Sequence, residues 1–139
     1  MSVIDSAIAR LQDLAQACTN IQHAPDYPIE DATALPLVIT HITGGDMTVL
    51  NASTVQLNPI ISVDFHFARV NIKDAYQRID TIIPEYLQRL GGDPTLNGTV
   101  DTIQFPVPFV VQPAQWDNVI TQMVSFTVQL KTLEVPIST

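Results

Sequence analysis

Apolar and polar residues alternate most regularly between Ile60 and Arg69, in the sequence IISVDFHFAR. Alternation with a period of two places successive side chains on opposite faces of a β-strand. We therefore predict a half-buried central strand over residues 60–69. Its apolar face carries Ile61, Val63, Phe65 and Phe67, and its opposite face carries Ser62, Asp64, His66 and Ala68.

The period changes after Asn71, where apolar residues recur at the spacing of an amphipathic helix. Asn71 suits the helix N-cap, and Asp74 adds favourable charge to the first turn. Pro84 predicts either a kink or the start of a second helical segment over residues 84–90. Gly91-Gly92 is expected to end the helix, because glycine enters the left-handed conformation at little cost. The apolar positions are Ile72, Ala75, Tyr76, Ile79, Ile82, Ile83, Tyr86, Leu87 and Leu90.

A second apolar stripe, from Ile4 to Cys18, predicts an amphipathic helix over residues 3–19. Residues 23–36 contain three prolines and show neither a helix nor a strand pattern. A connection of this length in a compact domain is usually functional or contacts a neighbour. We therefore expect residues 23–36 to form an extended arm.

Shorter patterns predict the strands that precede the central one. Residues 37–43 (LVITHIT) are rich in β-branched residues and predict a strand that ends in a turn at Gly44 to Asp46. Residues 47–58 predict a second strand with a break or bulge near residues 51–53. Pro59 is expected to separate that strand from the central one.

Beyond the second helix, residues 99–105 predict a strand. Residues 105–117 contain three prolines, which lack the amide that a central strand donates, so they predict an edge strand or an extended arm. Residues 116–135 form the longest alternating stretch and predict a long antiparallel partner of the central strand. Residues 136–139 are expected to form a C-terminal tail.

These elements predict one domain over residues 1–139 with an α+β fold. Two amphipathic helices and several half-buried strands favour a two-layer arrangement. We expect the two main helices to pack on one face of a mostly antiparallel sheet of about four to five strands.

Composition narrows the class of partner. Six basic and fourteen acidic residues give a net charge of −8, which disfavours a protein that grips nucleic acid through its phosphates. Charged residues make up 14% of the chain, against about 25% in typical soluble domains. This low fraction predicts that much of the surface meets another chain. No apolar run reaches the length of a membrane span, so we expect no membrane partner and synthesis in a cytoplasm.

Residues with catalytic or ligating chemistry are few. The histidines His23, His41 and His66 match no metal-ligand spacing, so structural or solvated roles are favoured. Asp64 and His66 share a strand face and can contact each other, but no motif for an activated serine or cysteine accompanies them. Cys18, the single cysteine, lies on an apolar helix stripe and predicts a buried thiol.

The glycine-rich segment after the second helix has the wrong order for a phosphate cradle, which follows a strand and opens a helix. Asp93 and Asp101 could hold a cation, but their spacing is not that of an EF-hand. We therefore predict no catalytic, cofactor-binding or metal-binding residue and no cofactor. The protein is not expected to be an enzyme.

Several segments together resemble the tail terminator proteins of long-tailed bacteriophages, which are also called tail-completion or minor tail proteins. The segments are SVDFHFARV, NIKDAY, IPEYLQRL, GGDPTLNGTVDTI and WDNVITQMVSFTVQLKTLE. The piece LNGTV is similar to a Leu-Gly-Gly-Thr-Val-like signature of that family, with Asn97 where glycine is common. Asparagine also tolerates a positive φ, so the turn is expected to persist. Asp93, Pro94, Leu96 and Gly98 are the other residues of this family-like structural turn.

The resemblance implies a structural virion protein that forms a hexameric ring. Such a ring ends the tail tube, contacts the tail tube protein, and joins a head-tail connector or stopper protein. DNA passes through the lumen without specific binding, and six copies of this chain would carry −48 formal charges, which repel phosphates. The implied location is the head-proximal end of the virion tail, after assembly in the host cytoplasm.

Loops and sheet edges make ring contacts more readily than helix interiors. The predicted subunit-interface residues are Asp26, Tyr27, Pro28, Ile29, Phe105, Phe109 and Trp116. The turn at Gly44, Gly45 and Asp46 is expected on an axial or lumenal surface.

Two alternatives remain open. The first is a head-side stopper or tube-like minor tail protein in the same particle. The second is a small soluble α+β enzyme or ligand-binding domain, which requires a pocket with converging polar groups.

Overall fold

A computed structural model describes residues 3–18, 37–69, 72–116, 119–132 and 135–136. Two helices and an antiparallel sheet make up this part of the chain, which confirms the predicted two-layer α+β fold. The helices are α1 (Val3–Gln16) and α2 (Ile72–Gly91). The strands are β1 (Leu37–Val49), β2 (Thr54–Ala68), β3 (Val100–Gln104), β4 (Phe109–Trp116), β5 (Val119–Thr132) and β6 (Val135–Pro136).

Strands β2 and β5 form the centre of the sheet and are antiparallel, as their alternation predicts. On its other side β2 pairs with β1, which forms one edge of the sheet. Strands β3 and β4 both pair with the far side of β5 and follow one another along the second edge. The two-residue strand β6 pairs with the start of β2.

The apolar faces of β2 and β5 meet the helices and form the core. The register pairs Val63 with Phe126 and Phe65 with Val124, so the apolar sets predicted for the two strands share one face. Tyr86 of α2 is fully buried between Phe65 and Phe126, with ring centroids 5.2 and 5.0 Å away. These aromatic contacts join α2 to both central strands.

The first helix contributes to the same core as α2. Tyr86 Oη donates a hydrogen bond to the carbonyl oxygen of Leu11 across 3.3 Å, and the side chains of Thr40 and Gln12 are hydrogen-bonded to each other. Cys18 is buried, as predicted, and its thiol contacts the carbonyl of Leu14 at 3.6 Å. Burial raises the pKa of this thiol to about 11.

The predicted turn at Gly44 to Asp46 is wrong, because these residues lie inside a continuous β1. The register shifts there, between Ile42 and Gly44, so the glycines mark a β-bulge. The hairpin turn lies between β1 and β2, where Asn51 Oδ1 accepts hydrogen bonds from the backbone amides of Ser53 and Thr54. This side-chain bonding is a turn device that asparagine provides.

Pro59 does not separate two strands, because β2 runs through it without interruption. Pro59 lies opposite Gly45 at the bulge, and the β5 register begins only at the next residue, Ile60. Pro59 is not paired with β5, so no hydrogen bond to β5 is lost because proline lacks a backbone N–H.

The proline-rich segment is an edge strand, one of the two predicted forms. Its residues 109–116 pair with β5, and residues 105–108 connect β3 to β4, with a cis peptide bond between Phe105 and Pro106. The carbonyl oxygen of Pro108 accepts the amide of Thr127, so β5 remains bonded across the interruption.

Helix α2 ends at Gly91, but neither Gly91 nor Gly92 has the left-handed conformation that was predicted. The left-handed residues lie further on, at Leu96, Asn97 and Gly98, with φ values of 48°, 59° and 80°. Asn97 therefore has a positive φ, which asparagine tolerates, and a turn is present at these residues, as expected.

The loop after α2 is held by charge as well as by packing. The Asp93 carboxylate accepts a hydrogen bond from the backbone amide of Asn97 at 2.8 Å and forms an ion pair with Arg10 of α1 at 2.7 Å. Leu96 is buried in the core. Burial would raise the pKa of Asp93, but these contacts outweigh it and hold the pKa below its usual range.

The predicted arm over residues 23–36, the N-cap Asn71 and tail residues 137–139 lie outside the described residues. Pro136, expected to begin the tail, belongs to β6, and helix α2 passes through Pro84 as one element. In the part of the chain that the structure covers, no helix has the length and apolar character needed to cross a membrane.

The aromatic contacts between sheet and helix predict a large difference between two tyrosines of α2. Tyr86→Ala should lower the free energy of unfolding by about 3–5 kcal/mol, because it leaves a large cavity in the core. Tyr76→Ala is the matched control, because Tyr76 is 46% exposed, and its effect should stay within about 0.5 kcal/mol. Urea unfolding followed by circular dichroism measures both, and equal effects would contradict this account of the core.

Candidate functional site

The sheet face opposite the helices carries a polar network centred on Asp64. Asp64 Oδ1 accepts hydrogen bonds from the hydroxyls of Ser62 and Ser125, each at 2.6 Å, and Oδ2 lies 3.0 Å from His41 Nε2. The two hydroxyl oxygens are themselves 3.0 Å apart. The network therefore joins one residue of β1, two of β2 and one of β5.

The network shifts the ionisation of its two charged members. Burial alone would raise the pKa of Asp64, but the hydrogen bonds from His41, Ser125 and Ser62 outweigh it and hold the pKa below its usual range. The hydrogen bond with Asp64 raises the pKa of His41. A histidine whose pKa is raised by folding stabilises the fold while it is protonated, and this contribution disappears as the pH rises.

His66 behaves in the opposite sense. Its side chain is buried, with Nδ1 2.8 Å from the hydroxyl of Thr121, and burial lowers the pKa of His66. A buried neutral histidine costs stability when it must become charged, so its contribution is lost as the pH falls. His41 and His66 therefore respond to pH with opposite signs.

The order of bonds in the network differs from that of a catalytic triad. In a triad the imidazole takes the serine proton and the carboxylate orients the imidazole. Here both serine hydroxyls donate to the carboxylate of Asp64. This arrangement favours a role in holding three strands in register. These contacts do not activate either serine hydroxyl as a nucleophile, because neither hydroxyl donates its proton to an imidazole in them.

A second candidate site is the end of the first hairpin, residues 42–59 of β1 and β2, which we call the β1–β2 extension. Its register places Met47 opposite Leu57 and Val49 opposite Val55, on the face that the helices cover elsewhere. Met47 is 57% exposed and Val49 61% exposed. A groove of about 350 Å³ crosses this face and is lined by Ile4, Ile42, Met47, Leu57 and Pro59, among others.

The opposite face of the β1–β2 extension is polar. Asn58 Nδ2 donates to Asp46 Oδ1 at 2.8 Å and to Thr48 Oγ1 at 3.0 Å. A wider groove of about 520 Å³ on this side is lined mainly by amide and hydroxyl groups, including those of Thr48, Gln56, Asn58, Gln104 and Gln129. The extension is therefore strongly two-sided.

A third surface lies at the opposite edge of the sheet, where Phe105, Phe109 and Val110 are exposed; we call these residues the β4 patch. Phe109 pairs with Phe126 and Val110 with Ser125, so the two side chains flank the edge strand on its two faces. Two of the predicted interface residues, Phe105 and Phe109, thus lie at one exposed apolar edge.

The other predicted site residues are scattered. Gly44, Gly45 and Asp46 belong to the β1–β2 extension and not to a turn, and Asp93, Pro94, Leu96 and Gly98 form the loop after α2. Trp116 is the last residue of β4, and Asp26 to Ile29 lie outside the described residues. Within the described ranges, no group of three or more His, Cys, Asp or Glu side chains is arranged to hold a metal ion.

Sequence reasoning missed the β1–β2 extension as a candidate surface. A signal was present, because Met47 and Val49 alternate with Asp46 and Thr48 beyond the glycines. The bulge shifts this alternation by one residue relative to Val38 and Ile42, so the two parts do not form one continuous pattern in the sequence. Interpreting Gly44-Gly45-Asp46 as a turn hid the continuation of the strand.

No known protein-family model matches the chain, and no curated protein sequence matches it significantly.

The Asp64 network predicts a specific change in histidine titration. Asp64→Asn should lower the pKa of His41, because the imidazolium loses its carboxylate partner. NMR titration of the imidazole protons measures this shift. Asp46→Asn is the control, since Asp46 bonds to Asn58 and not to a histidine, and an unchanged pKa of His41 in Asp64→Asn would refute the role given to this contact.

The β-bulge predicts opposite outcomes at adjacent glycines. A Cβ at Gly45 would lie 2.8 Å from the carbonyl oxygen of Asn58 and from Pro59 Cα, whereas a Cβ at Gly44 meets nothing within 4 Å. Gly45→Ala should cost about 1–3 kcal/mol, as overpacking against backbone does. Gly44→Ala should change stability by no more than about 0.5 kcal/mol. Urea unfolding measures both, and similar values for the two variants would argue against the bulge.

Proposed function

We propose that this chain is a tail terminator protein of a long-tailed bacteriophage, acting as a ring-forming structural protein. In this role copies of the chain assemble side by side and cap the tail tube. The opposite face of the ring receives the head-proximal connector. DNA passes through the central opening without being gripped.

One observation carries the proposal: a charge-poor chain exposes apolar side chains at both edges of its sheet. Residues such as Met47 and Val49 lie at one side of the sheet and Phe109 and Val110 at the other. A monomer rarely leaves two separate apolar surfaces in water, whereas a subunit that contacts a neighbour on each side requires them.

The family-like segments add independent support. The predicted turn residue Asn97 has a positive φ, as a glycine-like position in the LNGTV piece requires. The charge is also suited to the role, because a net charge of −8 per copy disfavours retention of DNA phosphates.

The assembly state tests the proposal directly. Light scattering should give a hexamer of six 15.3 kDa chains, about 92 kDa, and negative-stain images should show a ring with an open centre. Added salt should favour assembly, because it screens the repulsion between acidic copies while apolar contacts persist.

The biological partner is tested with purified tail tubes. Rings should bind one end of each tube and stop its growth, whereas bovine serum albumin, another acidic protein, serves as the negative control. A chain that is monomeric with and without tubes, and that leaves tube length unchanged, would rule out the terminator role.

A further inference from the structure

Four strands build the wide groove on the polar face of the β1–β2 extension, which we call the polar groove. Its volume of about 520 Å³ lies within the range of roughly 300–1,000 Å³ that is usual for small-molecule sites. Strands β1 and β2 form one side of it, and β5 and β3 form the other. The side chains used below are those of Asp46, Gln56 and Asn58 on the first side and Gln104, Gln129 and Lys131 on the second.

The two charged residues that line the polar groove lie on opposite sides of it. Asp46 is level with Asn58 in the register of β1 and β2. The register of β2 and β5 continues past Ile60, as the hydrogen bond between Leu57 and Thr132 shows, so Lys131 is also level with Asn58. Two strand spacings therefore separate the Cα atoms of Asp46 and Lys131, which is about 10 Å. In the ranges that the structure describes, neither residue forms an ion pair.

The uncharged amides of the groove are oriented by the fold. Asn58 Nδ2 donates to Asp46 and Thr48, and Gln56 Nε2 donates to the carbonyl oxygen of Thr132 at 2.9 Å. Both amides use their donor ends, so their acceptor oxygens remain. Asn58 Oδ1 is buried and has no hydrogen-bond partner among the described residues, which favours a bound N–H donor.

The other side of the groove offers donors. Lys131 carries an ammonium group, and Gln104 and Gln129 carry amide N–H groups. The groove thus presents a carboxylate and acceptor oxygens on the side of β1 and β2, and an ammonium group and N–H donors on the side of β5 and β3.

This distribution of charge selects the class of ligand. An anion is repelled by the net charge of −8, and a simple cation in the groove meets the ammonium group of Lys131. A molecule with one positive and one negative group is neutral overall and can pair with both charged residues. An extended peptide rises by about 3.3 Å per residue, so two or three residues span the distance between the two sides. Its amide groups also supply N–H donors and carbonyl acceptors for the side-chain amides.

We propose that the polar groove binds a short peptide with free termini, with its ammonium group at Asp46 and its carboxylate at Lys131. This site goes beyond the proposed ring and does not rest on it, because the ring proposal uses the apolar surfaces of the chain. Both charged residues are exposed, so each ion pair contributes little and salt weakens the binding.

NMR titration of the isotope-labelled protein with triglycine tests the site. Saturating shifts are expected for the backbone amides of Asp46 and Lys131 and for the side-chain amides of Asn58 and Gln129. N-acetyl-triglycine amide lacks both charges and should bind on the order of tenfold more weakly, because both ion pairs are lost. The absence of shifts with triglycine overturns the proposal. Equal affinity for the blocked peptide, or for the neutral sugar maltotriose, overturns it as well.

Two substitutions remove the charges one at a time. Asp46→Asn keeps an acceptor oxygen for Asn58, and Lys131→Gln keeps an N–H donor in the groove. Each variant should bind triglycine several-fold more weakly than the wild type, since one ion pair is lost. Asp101→Asn and Lys73→Gln are the matched controls, because both residues are exposed and lie outside the groove. Circular dichroism verifies that all four variants are folded, and equal effects of groove and control substitutions contradict the proposal.

Half-blocked peptides test the orientation of the ligand. Triglycine amide retains only the ammonium group, so Asp46→Asn should weaken its binding and Lys131→Gln should not. N-acetyl-triglycine retains only the carboxylate and should show the reverse dependence. The opposite pattern overturns the proposed orientation. The site and the ring fail separately, because rings that leave the triglycine spectrum unchanged refute only the site, and a monomer that binds triglycine as expected refutes only the ring.

Discussion

The helices cover only part of the apolar sheet face, and most features of this protein follow from that constraint. Where α2 lies over the sheet, Tyr86 packs between Phe65 and Phe126 and a complete core forms. Where the helix layer ends, the same alternation continues into solvent. The β1–β2 extension is therefore the continuation of the core pattern beyond the core, and its exposed residues result from strand length and not from a different composition.

The opposite face of the sheet differs from the core, because it buries a carboxylate, that of Asp64. Asp64 is mostly buried, yet it accepts hydrogen bonds from two hydroxyls and one imidazole, so its charge is compensated. A shift of one residue in register would turn Asp64 toward Phe65's side of the sheet. The network thus penalises misregistered pairing of the three strands β1, β2 and β5, while the aromatic contacts stabilise the correct one.

Hydrophobic periodicity predicted the fold class, both helices and the two central strands. An element that is buried on one face has apolar residues at the period of a helix or a strand, and this period can be read from the sequence. The predictions that failed were those at Gly45 and Pro59, where glycine and proline were interpreted as interruptions of a strand. There the two residues face each other across a β-bulge: Gly45 leaves room for the neighbouring backbone, and proline occupies a position where β5 needs no amide. Because Gly45 and Pro59 lie on different strands, the sequence of either strand alone does not predict that they face each other. The Asp64 network was missed in part for the same reason, since only strand register brings His41 and Ser125 to it.

The buried thiol of Cys18 has a consequence for any crowded state of this protein. It is the only sulfhydryl in the chain, and its high pKa keeps it in the unreactive protonated form. Copies held at high local density, even in air, therefore have no accessible sulfur through which to become covalently linked. Disulfide bonds between copies through Cys18 are therefore disfavoured while the fold is intact.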